Sequence, residues 1–322
     1  MQTRIVQFEE LRVGPTWRQR PMLRVFGPLV LCFLFATNTL AQPVDPLLLA
    51  AASRAKNLEF PTKPSRLWFF STPEMALYKP DGSGPFPALV LHHQCGGLGS
   101  GQDRWHNLSM LEWAKRAVAR GYVALVIDSL GPRGVKTVCM RAEGGVGFPR
   151  GVRDALQAAE HLRRFDFVVR DRIAIAGFSW GAMIAALASG QRWGTALSSG
   201  SRFAAAVSFY PGCFPLLEDG RAYDVVSSDI DRPLLVLMGG RDNETPPGEC
   251  VPMLEAAKRM GAPVEWHVYQ EATHCWDCVS LEGHSKVDFR GNRVVYRYDQ
   301  GITADSVRRM FEFLESVMPA RP

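Results

Sequence analysis

Ser179 sits in the run Gly177-Phe-Ser-Trp-Gly181, with the apolar Ile173-Ala-Ile-Ala176 before it and Ala182-Met-Ile-Ala-Ala-Leu-Ala after it. A strand, a sharp turn and a helix in that order leave the serine at the tip of a strained turn, its hydroxyl exposed above a sheet. Glycine on both sides lets the helix pass close to the strand. Ser179 is therefore the candidate nucleophile. A hydroxyl attacks poorly unless a base takes its proton, and an acid must hold that base in the right tautomer. In this architecture nucleophile, acid and base follow in that order along the chain. Downstream, Pro233-Leu-Leu-Val-Leu-Met238 runs into the turn-rich Gly239-Gly-Arg-Asp242-Asn-Glu244, the carboxyl end of a strand, where catalytic carboxylates belong. Asp242 is the candidate acid, and Glu244 is the fallback carboxylate.

Val264 to Tyr269 then leads into Gln270-Glu-Ala-Thr-His274, which makes His274 the candidate base. Among the seven histidines, His267 falls inside a strand and His161 inside a helix, while His92 and His93 precede the serine and His106 and His284 lie where the expected order does not reach. Acyl transfer passes through a tetrahedral anion best held by rigid backbone N–H groups. The first donor is expected to be the N–H of Trp180, directly after the nucleophile. The second is assigned to Cys95, in the Gly-rich loop His93-Gln94-Cys95-Gly96-Gly97 that follows a strand. For substrate binding the expectations are Gln94 on that loop, Trp180, Trp276 and Trp105 around an apolar pocket, and Arg133 against a substrate carboxylate. The triad supplies nucleophile and acid-base chemistry, so neither a metal nor an organic cofactor is required.

The positioning elements follow from periodicity. Short apolar strands are expected at Pro87–His92, Tyr122–Asp128, Ile173–Ala176, Phe203–Phe209, Pro233–Met238 and Val264–Tyr269. They alternate with amphipathic helices around Met110–Arg120, Val152–Phe165, Ser179–Ser189, Pro247–Met260 and Thr303–Val317. That alternation forces a mostly parallel sheet with helices on both faces. Leu67-Trp-Phe-Phe and Met75-Ala-Leu-Tyr read as a leading antiparallel pair. Gly291-Asn292, between Val287-Asp-Phe and Val294-Val-Tyr, reads as a hairpin inserted before the last helix.

Arg18, Arg20 and Arg24 precede an apolar stretch from Val25 to Ala36, and Thr39-Leu40-Ala41 follows it. This reads as a signal peptide spanning residues 1–41, with Met22 a candidate true start, cleavage after Ala41 and export to the periplasm or medium. Its apolar core is too short to span a bilayer comfortably. Removing residues 1–41 takes away five arginines and two glutamates and leaves 32 basic against 30 acidic residues, so most of the basic excess belongs to the leader. No Lys/Arg cluster with interleaved aromatics remains to suggest nucleic acid. Residues 42–322 suit one α/β domain.

Six cysteines remain in that domain: Cys95, Cys139, Cys213, Cys250, Cys275 and Cys278. An even number in an exported chain suggests disulfides, with fifteen connectivities open. Strand-end positions favour Cys213 with Cys250, and Cys139 is a candidate partner for Cys95. Cys275-Trp-Asp-Cys278 has redox-centre spacing but no following helix to lower a thiolate pKa, so a local disulfide or two free thiols is expected instead. A zinc site on His274, Cys275 and Cys278 lacks a fourth ligand.

From Phe86 to Val317 the chain resembles the dienelactone hydrolase family of α/β-hydrolases, in its exported, serine-bearing branch. The marks are Leu91-His-His-Gln-Cys-Gly-Gly97, Asp128-Ser-Leu-Gly-Pro-Arg-Gly134, Gly177-Phe-Ser-Trp-Gly181, Phe209-Tyr-Pro-Gly-Cys213, Gly240-Arg-Asp242 and Tyr269-Gln-Glu-Ala-Thr-His274. Two departures stand out: the founding enzymes carry cysteine where Ser179 stands and glutamate where Gln94 stands. The resemblance implies an α/β-hydrolase fold and hydrolysis of a small-molecule ester or lactone, and the serine favours general carboxylic esters over dienelactone. The same triad also cleaves amides, but such peptidases carry a gating domain for which this chain has little room. A silent binding module of this fold is the alternative from another class.

Overall fold

The computed structural model describes residues 44–67, 72–99 and 106–319. The expected leader, Trp105 and the Trp68–Phe70 part of the expected leading pair lie outside the described residues. The described residues from Val44 onward belong to one compact unit.

A seven-stranded sheet organises this unit. Its strands in chain order are β1 (Ala76–Tyr78), β2 (Phe86–His92), β3 (Val123–Ile127), β4 (Val168–Phe178), β5 (Ala205–Phe209), β8 (Leu234–Gly239) and β9 (Val264–Tyr269). In space they run β1-β3-β2-β4-β5-β8-β9. Only β1 runs antiparallel, pairing Ala76 to Tyr78 with Ala124 to Val126 of β3. The Ala76–Tyr78 strand of the expected leading pair lies at the sheet edge and takes β3, from the middle of the domain, as its partner among the described residues. Alternation along β2 shows why these apolar runs become strands. Ala88 and Val90 enter one core while Leu89 and Leu91 enter the other, and all four are fully buried. A parallel strand covered on both faces must be apolar at both parities.

The first core holds α1 (Pro46–Ala52), α3 (Phe148–Leu162), α4 (Trp180–Ser189), α5 (Gln191–Leu197) and α6 (Pro247–Arg259). The second holds α2 (Leu108–Ala119) and α7 (Gln300–Val317). All ten residues of α4 are buried, as its near-absence of polar side chains requires. Two small hairpins stand apart from the sheet: β6 (Leu216–Glu218) with β7 (Arg221–Tyr223), and β10 (Ser285–Val287) with β11 (Arg293–Val295). The second is the one read from Gly291-Asn292. The first, together with α1 and α5, is too short for periodicity to register. Among the described residues no helix is long and apolar enough to cross a membrane.

The sulfurs pair as Cys95–Cys139, Cys213–Cys250 and Cys275–Cys278. The first ties the loop after β2 to the loop before α3. The second ties the loop after β5 to α6, and the third closes the four-residue turn Cys275–Cys278 directly after His274.

Candidate active site

Ser179 occupies the turn between β4 and α4 with φ 53° and ψ −113°, a region that L-residues adopt only under strain. Two glycines make that turn possible. A Cβ on Gly177 would collide with the backbone of Gly181, and one on Gly181 would collide with the carbonyls of His92 and His93. The Ser179 N–H donates to Phe209 O at 2.9 Å, which pins the turn to the next strand.

The loops after β8 and β9 bring the acid and the base to this turn. The Gly239 N-terminal side of the Asp242 loop lies so close to Ala272 and Thr273 that a Cβ there would strike their carbonyls, and Arg241 N–H donates to Ala272 O at 2.9 Å. Across that contact His274 Nδ1 lies 2.7 Å from Asp242 Oδ2, and His274 Nε2 lies 3.0 Å from Ser179 Oγ. Asp242 also accepts from the backbone N–H groups of Glu244 and Thr245, both at 2.9 Å, and from the Thr245 hydroxyl at 2.8 Å. With its oxygens so engaged, the carboxylate holds the ring in one orientation, with Nε2 directed at the serine. Burial alone would lower the His274 pKa, but the carboxylates of Asp242 and Glu244 outweigh it and the net direction is upward. Such an arrangement can take the proton from a serine hydroxyl.

The loop after β2 borders the same turn, since Gly181 lies against the carbonyls of His92 and His93. His93 Nδ1 hydrogen-bonds Gln94 O at 2.6 Å, Gly97 N–H donates to the same oxygen at 3.0 Å, and Ser129 N–H donates to His93 Nε2 at 3.0 Å. His93 is therefore the neutral Nδ1–H tautomer, in keeping with a pKa pushed down by burial despite Asp128 nearby. Gln94 O and the Cys95 N–H belong to one peptide plane, so these two donors fix the direction of that N–H. Trp180 is clamped by its neighbours, with the His93 ring stacked on it at 5.8 Å and the His92 ring edge-on at 5.2 Å. Among the described residues no hydrogen bond takes up the N–H of either Cys95 or Trp180.

Two cavities meet at Ser179. The first, about 340 Å³, is lined by Cys95, Trp180, apolar side chains including Val138, Met183, Phe214 and Phe289, and the charged Arg141 and Glu218. The second, about 330 Å³, is lined by Gln94, Cys95, His274, His284, Lys286 and Tyr296. Both lie within the range usual for small-molecule sites. Glu244 borders both, with Lys286 Nζ 2.7 Å from its Oε1 and the Tyr296 hydroxyl donating to its Oε2 at 2.8 Å. Its Oε2 lies 3.9 Å from His274 Nε2. Burial would raise the Glu244 pKa, but His274, Lys286 and Tyr296 together pull it below the usual carboxylate value.

Three of the expected substrate residues are elsewhere or already engaged. Trp276 is fully buried among Tyr210, Tyr269 and Phe209, and its carbonyl accepts from Asp299 N–H and the Thr303 hydroxyl, so it anchors the His274 loop on α7 instead of lining a cavity. The Arg133 side chain is 3% exposed and grips Asp154 with both terminal nitrogens, at 2.6 and 2.8 Å, leaving nothing to meet a carboxylate. Gln94 does reach the second cavity, but Asn107 donates to its Oε1 and its amide nitrogen faces Tyr210 Oη at 3.3 Å. Conversely Thr245, Lys286 and Tyr296 carry no sequence signal: a lysine in a short hairpin reads as a solvated edge residue. Cys275, Asp277 and Cys278 are grouped closely enough for a metal, yet their sulfurs form a disulfide and Asp277 accepts from Trp113 and Tyr210, which leaves no ligand set.

Residues 74–318 match the sequence profile of the dienelactone hydrolase family. No curated protein matches the chain. Among solved structures, the chain is similar to one from Klebsiella pneumoniae subsp. pneumoniae that carries a provisional assignment as a dienelactone hydrolase. The identity is 18% and the TM-score 0.53, over 73% of this chain and 88% of that one. It is also similar to Thermogutta terrifontis esterase 2, solved phosphoramylated by tabun, at 18% identity and TM-score 0.54 over 77% of this chain and 90% of that one. At these identities the structural likeness is one of fold.

Proposed function

Because the chain belongs to the dienelactone hydrolase family and is a hydrolase by that membership, we propose that it cleaves carboxylic esters or lactones through an acyl-enzyme on Ser179. His274 Nε2 takes the Ser179 proton as Oγ attacks the carbonyl carbon. The carbonyl oxygen becomes an anion held by the N–H groups of Trp180 and Cys95. As that anion collapses, the bond to the leaving oxygen breaks and His274 returns the proton to it. Water, deprotonated by His274, then attacks the acyl carbon; the bond to Ser179 Oγ breaks, His274 returns the proton to Oγ, and the acid leaves. Asp242 keeps the ring oriented and stabilises its charged form throughout. The observation that carries this reading is the continuous chain from Ser179 Oγ through both ring nitrogens of His274 to Asp242, at 3.0 and 2.7 Å.

We assign the protein to an exported compartment, with residues 1–41 as leader and residues 42–322 as one catalytic domain. Three disulfides among the described residues support that compartment.

The test is turnover of a graded set of p-nitrophenyl esters by wild type and Ser179→Ala, with mass-spectrometric mapping of a fluorophosphonate adduct. A loss of about 10⁴-fold or more in kcat, with the adduct on Ser179, is expected. Retained turnover in the variant overturns the reading.

A further inference from the structure

Both cavities at Ser179 are mostly apolar, but Lys286 and Tyr296 border only the second, and the proton path assigns a half of the substrate to each. A leaving alkoxide takes its proton from His274 Nε2, so the alcohol must lie on the imidazole side of the serine. His274 lines the second cavity and not the first. Trp180, whose N–H faces the developing oxyanion in the proposed reaction, lines the first and not the second. Resting on the Ser179 acyl-enzyme reading above, we propose that the substrate is an ester of an apolar acyl group and a neutral alcohol that carries a further hydroxyl. The acyl group seats against Met183, Phe214 and Phe289, and the alcohol against Lys286, Tyr296 and Glu244.

Three observations shape the two halves. The apolar lining of the first cavity continues outward. Met140, Leu217 and Phe289, from three separate segments, line it while remaining 65%, 78% and 41% exposed. Large apolar side chains exposed together around a cavity mouth mark a binding surface more often than chance scatter, and here the occupant is an acyl chain longer than the cavity. The second cavity holds donors and acceptors in compensated charge. An ammonium has three N–H donors, and Lys286 directs one to Glu244. The Tyr296 hydroxyl donates to Glu244 and so keeps lone pairs for a substrate hydroxyl. Because the Lys286 charge is matched by Glu244, the cavity presents hydrogen-bonding groups without calling for an anionic ligand.

Two ester series on the purified protein test this. With p-nitrophenol fixed, kcat/KM is expected to rise from acetate to octanoate by up to about fourfold per methylene. With butyrate fixed, glycerol monobutyrate is expected to exceed butyl butyrate about tenfold. Ala142, exposed at the first cavity, becomes a plug in Ala142→Trp, which should lower the octanoate-to-acetate ratio about tenfold. Leu217→Asp on the exposed rim should lower it in the same direction, and serves if the first variant does not fold. Lys286→Met should lower the glycerol-to-butyl ratio instead. Flat profiles in both series, or variants that act on the opposite ratio, overturn the proposal. A fluorophosphonate adduct on Ser179 together with flat ratios would sink only this inference, whereas an unlabelled Ser179 with turnover retained in Ser179→Ala would sink the acyl-enzyme reading beneath it.

Discussion

Two of the places where the domain buries charge are the surroundings of Asp154 and those of His274. Asp154 is fully buried and gripped by Arg133 at 2.6 Å and Arg150 at 2.6 Å. The same guanidinium groups also hold the carbonyls of Ser129 and Lys56 on one side and of Ala52 and Ala55 on the other. That cluster stitches α1 and the segment after it onto α3, and neither cavity at Ser179 touches it. Around His274, Asp242 and Glu244 are just as well satisfied, but the chain of contacts ends on a strained hydroxyl with space on either side. Buried, paired charge is therefore no mark of a site by itself. What separates the two clusters is a reactive atom that a ligand can reach.

The sharpest way to break that contrast is to neutralise one carboxylate from each cluster. Asp242→Asn should fold as wild type yet lose about 10⁴-fold in kcat, because an amide at that position favours the wrong ring tautomer. Asp154→Asn should do the reverse. Two buried guanidinium groups lose their counter-charge, at a cost of about 3–5 kcal/mol, while the protein that remains folded turns over at a wild-type rate per active site. Thermal unfolding with active-site titration reads both at once. An Asp154→Asn protein that is stable but inactive would erase the distinction.

A smaller effect sharpens the role of the buried histidines under the site. His93 touches no reacting atom in the proposed reaction, and it acts through the peptide plane that carries the Cys95 N–H. His93→Phe keeps the ring stacked on Trp180 but loses the hydrogen bond to Gln94 O. The kcat for p-nitrophenyl esters should fall roughly 10- to 100-fold, short of the 10²–10³ expected for deleting an oxyanion donor outright, with KM little changed. An increase in KM at constant kcat would instead make His93 a part of the substrate pocket.

How far the sequence carries into this site depends on where each residue draws its signal. The parallel sheet is legible because strands buried on both faces are apolar throughout, and Ser179, Asp242 and His274 are legible because each sits just past such a strand in a fixed order. The structure brings those three within hydrogen-bonding reach of one another. Arg133 and Trp276 misled for one reason. Both stand beside the right loops, and sequence position cannot say whether a side chain turns towards the cavity or back into the core. Lys286 and Tyr296 were invisible because the hairpin that bears them packs over the site only through long-range contacts, such as Asn243 Nδ2 to Arg293 O at 2.9 Å. Glu244 is legible as a second carboxylate, but its place on the Nε2 side of the ring follows from the turn geometry after Asp242 and not from its spacing.

That position of Glu244 gives the smallest of the expected effects and the one most particular to this molecule. His274 must be neutral to accept the Ser179 proton, so activity falls as pH drops through its pKa. Burial lowers that pKa while Asp242 and Glu244 raise it, with a net upward direction. Glu244→Gln removes one of the two raising charges and leaves Lys286, which opposes protonation of the ring, without its carboxylate partner. Both changes act in the same sense, so the acid limb of kcat/KM should move to lower pH and the enzyme should stay active in more acidic solution than wild type. The shift should be the lesser of the two carboxylate contributions, since Asp242 lies 2.7 Å from the ring and Glu244 3.9 Å. A pH profile of Glu244→Gln whose acid limb stays in place, or moves upward, would mean that Lys286 and Tyr296 already neutralise Glu244 as far as His274 is concerned. In that case the second carboxylate would belong to the scaffold, like Asp154, and the contrast between the two clusters would narrow to Asp242 alone.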